Sequence, residues 1–300
     1  MTDYDKDLRS IQQARRMVTA ARDAQREWAW ANQAQVDKVC AAMADAAYQA
    51  SERLGRMAAE ETGFGIPEHK KLKNQFGSKH VWESIKDVPT VGVIDHDPVN
   101  KLYKIGWPMG VVAALTPSTN PTSTVMNKIL MSVKARNGIV IAPHPSAKNS
   151  CLDTTELMAK AAVAAGAPEG LIHCMSEISL PGTNELMSHK YTAVILATGG
   201  SDMVRAAHSQ GKPAFGVGPG NVPVYVDRSA DLERAAKYIV GSKAFDHSVI
   251  CATEQAVIAD RPIANRLREL MKAEGAHFVN PVEADLLREI LFWPNGTINA

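Results

Sequence analysis

Cys251 is the residue of this 300-residue chain whose surroundings best suit covalent chemistry. It ends the polar loop 243–251, directly before a predicted strand, and a cysteine thiolate in such a loop can attack an electrophilic carbon. Asn120 lies in segment 116–121, which follows an apolar strand, and its side-chain amide can donate to an oxygen that becomes negatively charged. Together the two residues predict a cysteine nucleophile and an amide oxyanion donor.

The alternative for Cys251 is an inert thiol, because free cysteines are usually buried and pack as small apolar residues. The other three cysteines fit that description: Cys40 lies in a helical run, Cys151 near a helix start and Cys174 in an apolar strand. The four cysteines show neither CxxC spacing nor a Cys/His ligand pattern. The sequence therefore predicts no disulfide scaffold and no metal site.

The charge balance of the chain is nearly neutral, since 33 Lys and Arg residues stand against 32 Asp and Glu residues. Such a chain has no overall field that would attract nucleic acid or an acidic membrane. Residues 1–8 are polar and acidic, unlike a secretory signal, and no apolar run approaches the ~20 residues of a membrane span. We therefore expect a cytoplasmic protein without nucleic-acid or membrane partners.

Hydrophobic spacing divides the chain into a helical part and an alternating part. Up to about residue 90 the spacing predicts helices, and segments 90–95 and 101–105 predict a pair of strands that could serve assembly. From residue 111 strands and helices alternate, which is typical of a parallel sheet covered by helices. The predicted strands are 111–116, 139–142, 171–175, 193–198, 213–217 and 222–226. The predicted helices are 122–136, 152–165, 185–189 and 202–210.

A candidate phosphate site lies where the strand 193–198 passes through Gly199 and Gly200 into a helix. Free backbone N–H groups at a helix N-terminus carry partial positive charge, so the pyrophosphate of a dinucleotide is a suitable ligand there. The alternative is an ordinary turn in which Ser201 or Asp202 caps the helix. No GxGxxG motif occurs here, and the glycine-rich run 216–221 lies between strands, which makes it weak evidence for a dinucleotide.

Four segments occur in the order found in a known family: 116–123, 142–149, 197–200 with 216–221, and 245–255. From about residue 58 onward the chain resembles the CoA-acylating aldehyde dehydrogenases, which include acetaldehyde, succinate-semialdehyde and sulfoacetaldehyde dehydrogenases. The resemblance implies an α/β, aldehyde dehydrogenase-like fold. The implied domains are N-terminal helices with an assembly hairpin over 1–110, which form part of the cofactor domain, a dinucleotide-binding domain over 111–240 and the start of an α/β catalytic domain over 241–300.

The resemblance implies that Cys251 is the nucleophile and that the Asn120 amide, with the Cys251 backbone N–H, stabilises the oxyanion. The thiolate would add to an aldehyde, hydride would pass to NAD or NADP, and coenzyme A would take the acyl group from the enzyme thioester. The same site would also run the reaction in reverse. The implied cofactor-binding residues are Thr116, Pro117, His144, Ser146, Thr198, Gly199, Gly200, Ser201 and Gly218.

Hydrolytic members of the superfamily carry a general-base glutamate about 35 residues before the nucleophile, and this chain has Gly216 at that distance. Without that base water is not activated, so the thioester is expected to await a thiol acceptor. Glu254 is an alternative base, although a solvated or ion-paired side chain is the favoured interpretation. The corresponding alternative function is a non-acylating aldehyde dehydrogenase.

The chain departs from the family pattern at two places. His247 and Ser248 replace the Asn and Gly that acylating relatives commonly have before the nucleophile, and an acid–base role of His247 stays open. His144 and Ser146 lie where many hydrolytic relatives have Lys-Pro-Ser-Glu against the adenosine ribose, so the choice between NAD and NADP is open. The aldehyde is open as well, with a small anionic aldehyde preferred.

Members of the family are longer than 300 residues, so the resemblance implies a chain that ends inside the catalytic domain. A function of a different class follows from that expectation, namely a nucleotide-binding and assembly module without turnover. The resemblance also predicts a homo-oligomer, either a dimer or a tetramer.

Overall fold

The structure, a computed structural model, describes residues 5–296. The chain divides into two compact units, Met1–Gly220 and Asn221–Ala300. This division lies 20 residues before the expected boundary at residue 240, and the roles of the three expected domains stay predictions. The outer limits of those domains, at residues 1 and 300, lie outside the described residues. Among the residues described, no helix is long and apolar enough to cross a membrane.

A five-stranded parallel sheet forms the centre of the first unit and confirms the predicted α/β fold. Its strands are β3 (Val111–Leu115), β4 (Gly138–Ala142), β5 (Ile172–Cys174), β6 (Thr192–Thr198) and β7 (Ala214–Val217). Every residue of β3 and β4 is buried, as expected of strands covered on both faces. Across the sheet the order is β5-β4-β3-β6-β7, which places a topological switch point between β3 and β6.

Helices cover both faces of this sheet. On one face Val18 of α1 packs in a core with Val111, and on the other Met43 of α2 packs with Ile129 of α6 and Ile139 of β4. These two cores join the N-terminal helices to the sheet, so the predicted helical region is part of the same compact unit. The helices of the first unit are α1 (Lys6–Trp28), α2 (Gln33–Gln49), α3 (Ser51–Thr62), α4 (Pro67–Gln75), α5 (Val81–Ile85), α6 (Pro121–Lys134), α7 (Lys148–Ala165), α8 (Leu180–Ser188) and α9 (Ser201–His208).

The start of α6 is held close to a π-helical turn, Phe76–His80, that follows α4. A Cβ atom on Gly77 of this turn would lie 2.7 Å from the backbone oxygen of Ser123, a distance that only glycine tolerates. Gly55 of α3 is equally close to α4, since its Cβ would lie 2.7 Å from the backbone nitrogen of Lys71. Helix α4 is therefore fixed between α3 and the segment that carries Asn120.

The predicted pair of strands is confirmed as an antiparallel hairpin of β1 (Gly92–Asp97) and β2 (Leu102–Gly106). Val93 and Ile105 lie opposite each other on this hairpin and are 58% and 61% exposed. An exposed apolar pair is consistent with a role in assembly, which stays a prediction.

The second unit contains a separate two-stranded parallel sheet of β8 (Val222–Val226) and β9 (Glu254–Ala259). Its helices are α10 (Leu232–Ala244), α11 (Ala264–Ala273) and α12 (Pro281–Leu291), and its core contains Val226, Ala236, Ile239 and Leu267.

The sequence pattern predicts that 222–226 joins the strands of the first sheet, and this prediction is wrong. Only residues 218–221 separate β7 from β8, whereas a crossover between parallel neighbours needs a dozen or more residues. The segment between β8 and β9, which contains α10, is long enough.

Candidate active site

The predicted cofactor-binding residues lie at one edge of the five-stranded sheet. They follow the carboxyl ends of four adjacent strands, and in a parallel sheet these ends share an edge. Thr116 and Pro117 follow β3, His144 and Ser146 follow β4, Thr198 to Ser201 end β6 and begin α9, and Gly218 follows β7. In open parallel sheets ligands bind at the switch point, which here lies between β3 and β6. The structure thus brings the residues together, and their role in binding a cofactor stays a prediction.

The N-terminus of α9 has no side-chain cap. Gly200 is its N-cap residue, with φ −65° and ψ 163°, and the helix starts at Ser201 without a capping hydrogen bond. The Asp202 side chain is 99% exposed and lies 3.9 Å from Arg205. The alternative in which Ser201 or Asp202 caps this helix is therefore wrong, and the first backbone N–H groups of α9 have no side-chain acceptor.

Neither Gly199 nor Gly200 is required by the backbone or by internal packing. Neither residue has a left-handed φ, and a Cβ on Gly200 would meet nothing within 4 Å. A Cβ on Gly199 would meet Met203 atoms at 3.5 and 3.6 Å, which is ordinary van der Waals contact. The residues present therefore fit a phosphate group that approaches the backbone of this turn closely.

Lys128 connects the two strands that flank the switch point, and Thr116, which follows β3, faces the interior. The Thr116 hydroxyl is buried 3.5 Å from Cys151 Sγ, so this side chain faces the interior and not the edge. Lys128 Nζ donates to the carbonyl oxygens of Leu115 at 2.5 Å and of Leu196 at 2.8 Å, which joins β3 to β6. Burial lowers the pKa of Lys128 to about 7.

His144 and Ser146 form an exposed turn after β4. His144 Nδ1 accepts from the Ser146 backbone N–H at 3.2 Å and lies 2.8 Å from the Ser146 hydroxyl. In the neutral ring the proton is then carried on Nε2, because Nδ1 acts as an acceptor. Nε2 can therefore donate to a ligand at this edge.

Asn120 is held by buried side chains of α4. Lys73 Nζ donates to Asn120 Oδ1 at 2.7 Å, and Lys70 Nζ donates to the carbonyl oxygen of Thr119. These lysines carry no motif and lie about 50 residues before Asn120 in the chain, so they are not among the site residues predicted from the sequence. The available signal was their spacing of three residues, which places two lysines on one face of α4.

Cys251 lies at the exposed tip of a turn between α10 and β9. The turn is closed by the Thr253 backbone N–H, which donates to Ile250 O at 3.3 Å. Three consecutive residues before it have left-handed backbone, with φ of 51° at Asp246, 52° at His247 and 64° at Ser248. Such strain in non-glycine residues is concentrated at functional sites.

The other three cysteines are buried, which agrees with their interpretation as inert thiols. Burial raises the pKa of Cys40 and of Cys151 to about 12, and it raises the pKa of Cys174 as well. A thiol with so high a pKa forms almost no thiolate near neutral pH. Cys251 is therefore the cysteine of the chain that reagents in solution can reach.

Asn120 and the cofactor edge belong to the first unit, and Cys251 belongs to the second. The structure places each within its own unit, and their meeting in one site stays a prediction. Glu254, the alternative base, begins β9; its Oε2 atom is buried and, within 5–296, has no hydrogen-bond partner. The favoured interpretation of this side chain as solvated or ion-paired does not hold for that oxygen.

The packing of α9 on β7 limits which residue can occupy position 216. A Cβ on Gly216 would lie 2.4 Å from Val204 Cγ1 and 2.8 Å from His208 Nε2, both on α9. Helix α9, packed on β7, therefore leaves no space for a side chain at position 216, and the correspondence of this position with the hydrolytic base stays a prediction. A Cβ on Gly218 would meet only Val204 Cγ2 at 4.0 Å.

A sequence profile of the aldehyde dehydrogenase family matches residues 7–284. The chain belongs to the aldehyde dehydrogenase family. It is 41% identical to the bifunctional aldehyde-alcohol dehydrogenase AdhE of Escherichia coli over 284 residues. This aligned region is 95% of this chain and 32% of that protein. Among solved structures, an acetylating aldehyde dehydrogenase from Geobacillus thermoglucosidasius is 48% identical, with a TM-score of 0.94 over 98% of this chain and 65% of that chain.

A third similar structure is a propionaldehyde dehydrogenase from Rhodopseudomonas palustris with bound CoA and an acylated cysteine. It is 31% identical, with a TM-score of 0.83 over 95% of this chain and 65% of that chain. These relatives confirm the predicted resemblance to the acylating branch of the family. The chain spans about a third of the bifunctional relative and less than two thirds of the two crystallised chains.

Proposed function

We propose that the protein oxidises a short aldehyde to its acyl-CoA with NAD or NADP, through a thioester on Cys251. The observation that carries the proposal is the exposed turn at Cys251, preceded by left-handed backbone at residues 246–248, in contrast to three buried thiols of high pKa. The acetylating relative and the relative with CoA and an acylated cysteine support this reaction class. The expectations of a homo-oligomer and of a cytoplasmic location stay predictions.

In the first step the Cys251 thiolate adds to the aldehyde carbon, and the carbonyl oxygen becomes an alkoxide. The Asn120 Nδ2–H and the Cys251 backbone N–H donate to that oxygen and lower the energy of the charged intermediate. The residues at the carboxyl edge of the sheet would hold the dinucleotide, whose nicotinamide would supply the acceptor for the hydride of that carbon. Collapse of the alkoxide then leaves an acyl group on Cys251 Sγ.

The residues suited to hold the dinucleotide are those at the carboxyl edge of the sheet. The uncapped first turn of α9, with Gly199 and Gly200, would bind the pyrophosphate through backbone N–H groups. His144 and Ser146 would donate to the adenosine side. The turn 144–146 contains neither the lysine nor the glutamate expected against the adenosine ribose, so the assay includes both NAD and NADP.

In the last step CoA attacks the acyl carbon as its thiolate, and Cys251 leaves as the thiolate. Packing of α9 on Gly216 leaves no room for the base that hydrolytic relatives use, which favours a thiol over water as the acceptor. One thioester replaces another, so the reverse reaction from acyl-CoA to aldehyde should occur at the same site. If Glu254 Oε2 activated water instead, the product would be a free acid, as in a non-acylating enzyme.

The test mixes the protein with an aldehyde, CoA and either NAD or NADP, and it follows nicotinamide absorbance together with product mass. We expect acyl-CoA that depends on CoA, no turnover for Cys251→Ala, and a fall in kcat of ~100-fold for Asn120→Ala. Cys40→Ala, which removes a buried thiol, is the matched control and should retain turnover. Free acid as the main product in the presence of CoA would favour the non-acylating alternative.

A protein that binds NAD or NADP but shows no turnover would support the alternative of a nucleotide-binding and assembly module. Isothermal titration of both dinucleotides separates this outcome from a protein that fails to bind at all. A panel of acetaldehyde, propionaldehyde, succinate semialdehyde and sulfoacetaldehyde tests the preferred anionic class. Equal kcat/KM for the charged and uncharged aldehydes would remove that preference.

A further inference from the structure

Asn120 is the N-cap residue of α6, yet its side chain makes no capping hydrogen bond. Asparagine is among the preferred N-cap residues because its side-chain oxygen accepts from the first turn of the helix. Here that oxygen accepts from Lys73 Nζ at 2.7 Å. The local preference of the residue is therefore overridden by a contact from α4, 47 residues earlier in the chain.

We propose that Lys73 is a positioning residue that orients the Asn120 amide toward the oxyanion. This inference rests on the proposed function, in which the Asn120 amide is the oxyanion donor. Lys73 is only 7% exposed, and burial of an ammonium group is costly unless its donors are used. The contact with Asn120 Oδ1 uses one of these donors.

The chemistry of the ammonium group determines which way the amide faces. A lysine ammonium has three donors and no acceptor, so only the oxygen of the amide can face Lys73. The Nδ2 group is then directed away from Lys73 Nζ, and it lies at the long distance of 3.4 Å from Thr119 Oγ1. An amide rotated by 180° would instead present its oxygen to the alkoxide, and the two negative oxygens would repel each other.

The charge of Lys73 also strengthens the donor. A cation at the amide oxygen draws electron density toward that end and makes the Nδ2–H groups better donors. Because Lys73 is buried, solvent screens this effect less than it would at the surface.

Further contacts of α4 keep Lys73 at a fixed distance from Asn120. Thr122 Oγ1 donates to Asn74 Oδ1 at 2.6 Å, and Asn74 Nδ2 donates to Ser51 O at 3.0 Å. Lys70 Nζ contacts the carbonyl oxygen of Thr119. The loop on both sides of Asn120 is therefore tied to α4, and the amide cannot move away without breaking these bonds.

The first experiment compares steady-state kinetics of Lys73→Met, Lys73→Arg and Lys71→Met. Lys73→Met should lower kcat by ~10-fold or more with little change in KM for the aldehyde, because the oxyanion forms only after binding. Lys73→Arg keeps a buried cationic donor and should recover most of kcat. Lys71 is adjacent but pairs with exposed Glu52 at 2.7 Å, so Lys71→Met is the matched control and should retain kcat. If Lys73→Met does not fold, Lys73→Gln removes the charge but keeps a polar head and should lower kcat in the same way.

A double-substitution cycle shows whether Lys73 acts through Asn120. In the Asn120→Ala background, Lys73→Met should change kcat by less than about twofold, because the group that it orients is gone. Equal losses in both backgrounds, or full kcat in Lys73→Met, would overturn the inference and leave the proposed function standing. An Asn120→Ala protein with normal kcat would instead overturn the proposed oxyanion role.

A second readout does not depend on turnover. With asparagine-selective ¹⁵N labelling, the side-chain amide signals of Asn120 are assigned by their loss in Asn120→Ala. These signals should shift and broaden in Lys73→Met, because the amide is released, and should stay in place in Lys71→Met. Unchanged amide signals in Lys73→Met would overturn the inference even for a protein without turnover.

Discussion

Backbone strain at single residues distinguishes the segment before Cys251. Ser248 has φ 64°, a conformation in which a Cβ costs about 1–2 kcal/mol and glycine has no such cost. We expect Ser248→Gly to be more stable than Ser248→Ala by about 1 kcal/mol in denaturant titrations, since both variants lose the same hydroxyl. In α10 the order should reverse: Ser242→Gly should be less stable than Ser242→Ala by about 1 kcal/mol.

The same order of Gly and Ala at both positions would show that Ser248 is not left-handed in solution. If the expected order is found, His247 and Ser248 hold a conformation that the Asn and Gly of acylating relatives adopt more easily. The side chains would then be retained at a cost in stability, which gives a physical reason to test them in the acyl pocket.

The buried ammonium of Lys128 should make the stability of the protein depend on pH. Burial lowers its pKa from 10.5 to about 7, so between these values the unfolded chain binds a proton that the folded chain does not. The free energy of unfolding should therefore rise with pH across this window. Below about pH 7 the buried ammonium is charged in the folded protein, and its destabilising effect should be complete. Lys128→Met should lose this rise in denaturant titrations between about pH 7 and pH 10.

Lys160 provides the control for Lys128, because its side chain is on α7 and 75% exposed. Lys160→Met should keep the pH dependence of the unsubstituted protein. If the free energy of unfolding of Lys128→Met and of the unsubstituted protein varied with pH in parallel, titration of Lys128 would not contribute to the pH dependence of stability.

At the scale of elements, the contact between α9 and β7 determines what can occupy position 216. A Cβ on Gly216 would lie 2.4 Å from Val204 Cγ1. Because valine is short and branched at Cβ, relief of this clash requires a shift of the packed elements. We expect Gly216→Ala to lower the free energy of unfolding by about 1–3 kcal/mol through overpacking. Adding Val204→Ala should restore part of that loss, because it removes the clashing methyl group.

Gly200→Ala is the matched control for Gly216→Ala, since a Cβ on Gly200 meets nothing within 4 Å and φ is −65°. It should leave stability nearly unchanged and weaken dinucleotide binding if a phosphate approaches this turn. A fully stable Gly216→Ala protein would mean that α9 moves freely on β7.

At the scale of the whole molecule, the hairpin of β1 and β2 is the surface on which we expect copies of the chain to assemble. Val93 and Ile105 form an exposed cross-strand pair there. Ile105→Lys should shift the protein toward the monomer in sedimentation velocity experiments, because it introduces a charge into an apolar interface. Lys104 lies on the opposite face of the same strand, so Lys104→Gln should leave the oligomeric state unchanged. A monomeric unsubstituted protein, or an Ile105→Lys oligomer, would contradict this use of the hairpin.

The sequence by itself determined the local elements of the chain and the candidate nucleophile. Strands and helices between residues 111 and 217 follow from hydrophobic runs and turn residues, which act over a few positions. The segment around Cys251 was identified by its residues alone. The strand at 222–226 was also identified, but its partner was not, because pairing depends on contacts distant in the chain.

Only the tertiary structure decided the order β5-β4-β3-β6-β7, which places the switch point beside Thr116 and Thr198. It also showed that α9 fills the space at Gly216 and that Lys73 faces Asn120, 47 residues away. These relations join elements that the sequence leaves unconnected. Local patterns record which residues prefer a helix or a strand, whereas the orientation of a buried amide depends on the side chain that packing brings to it.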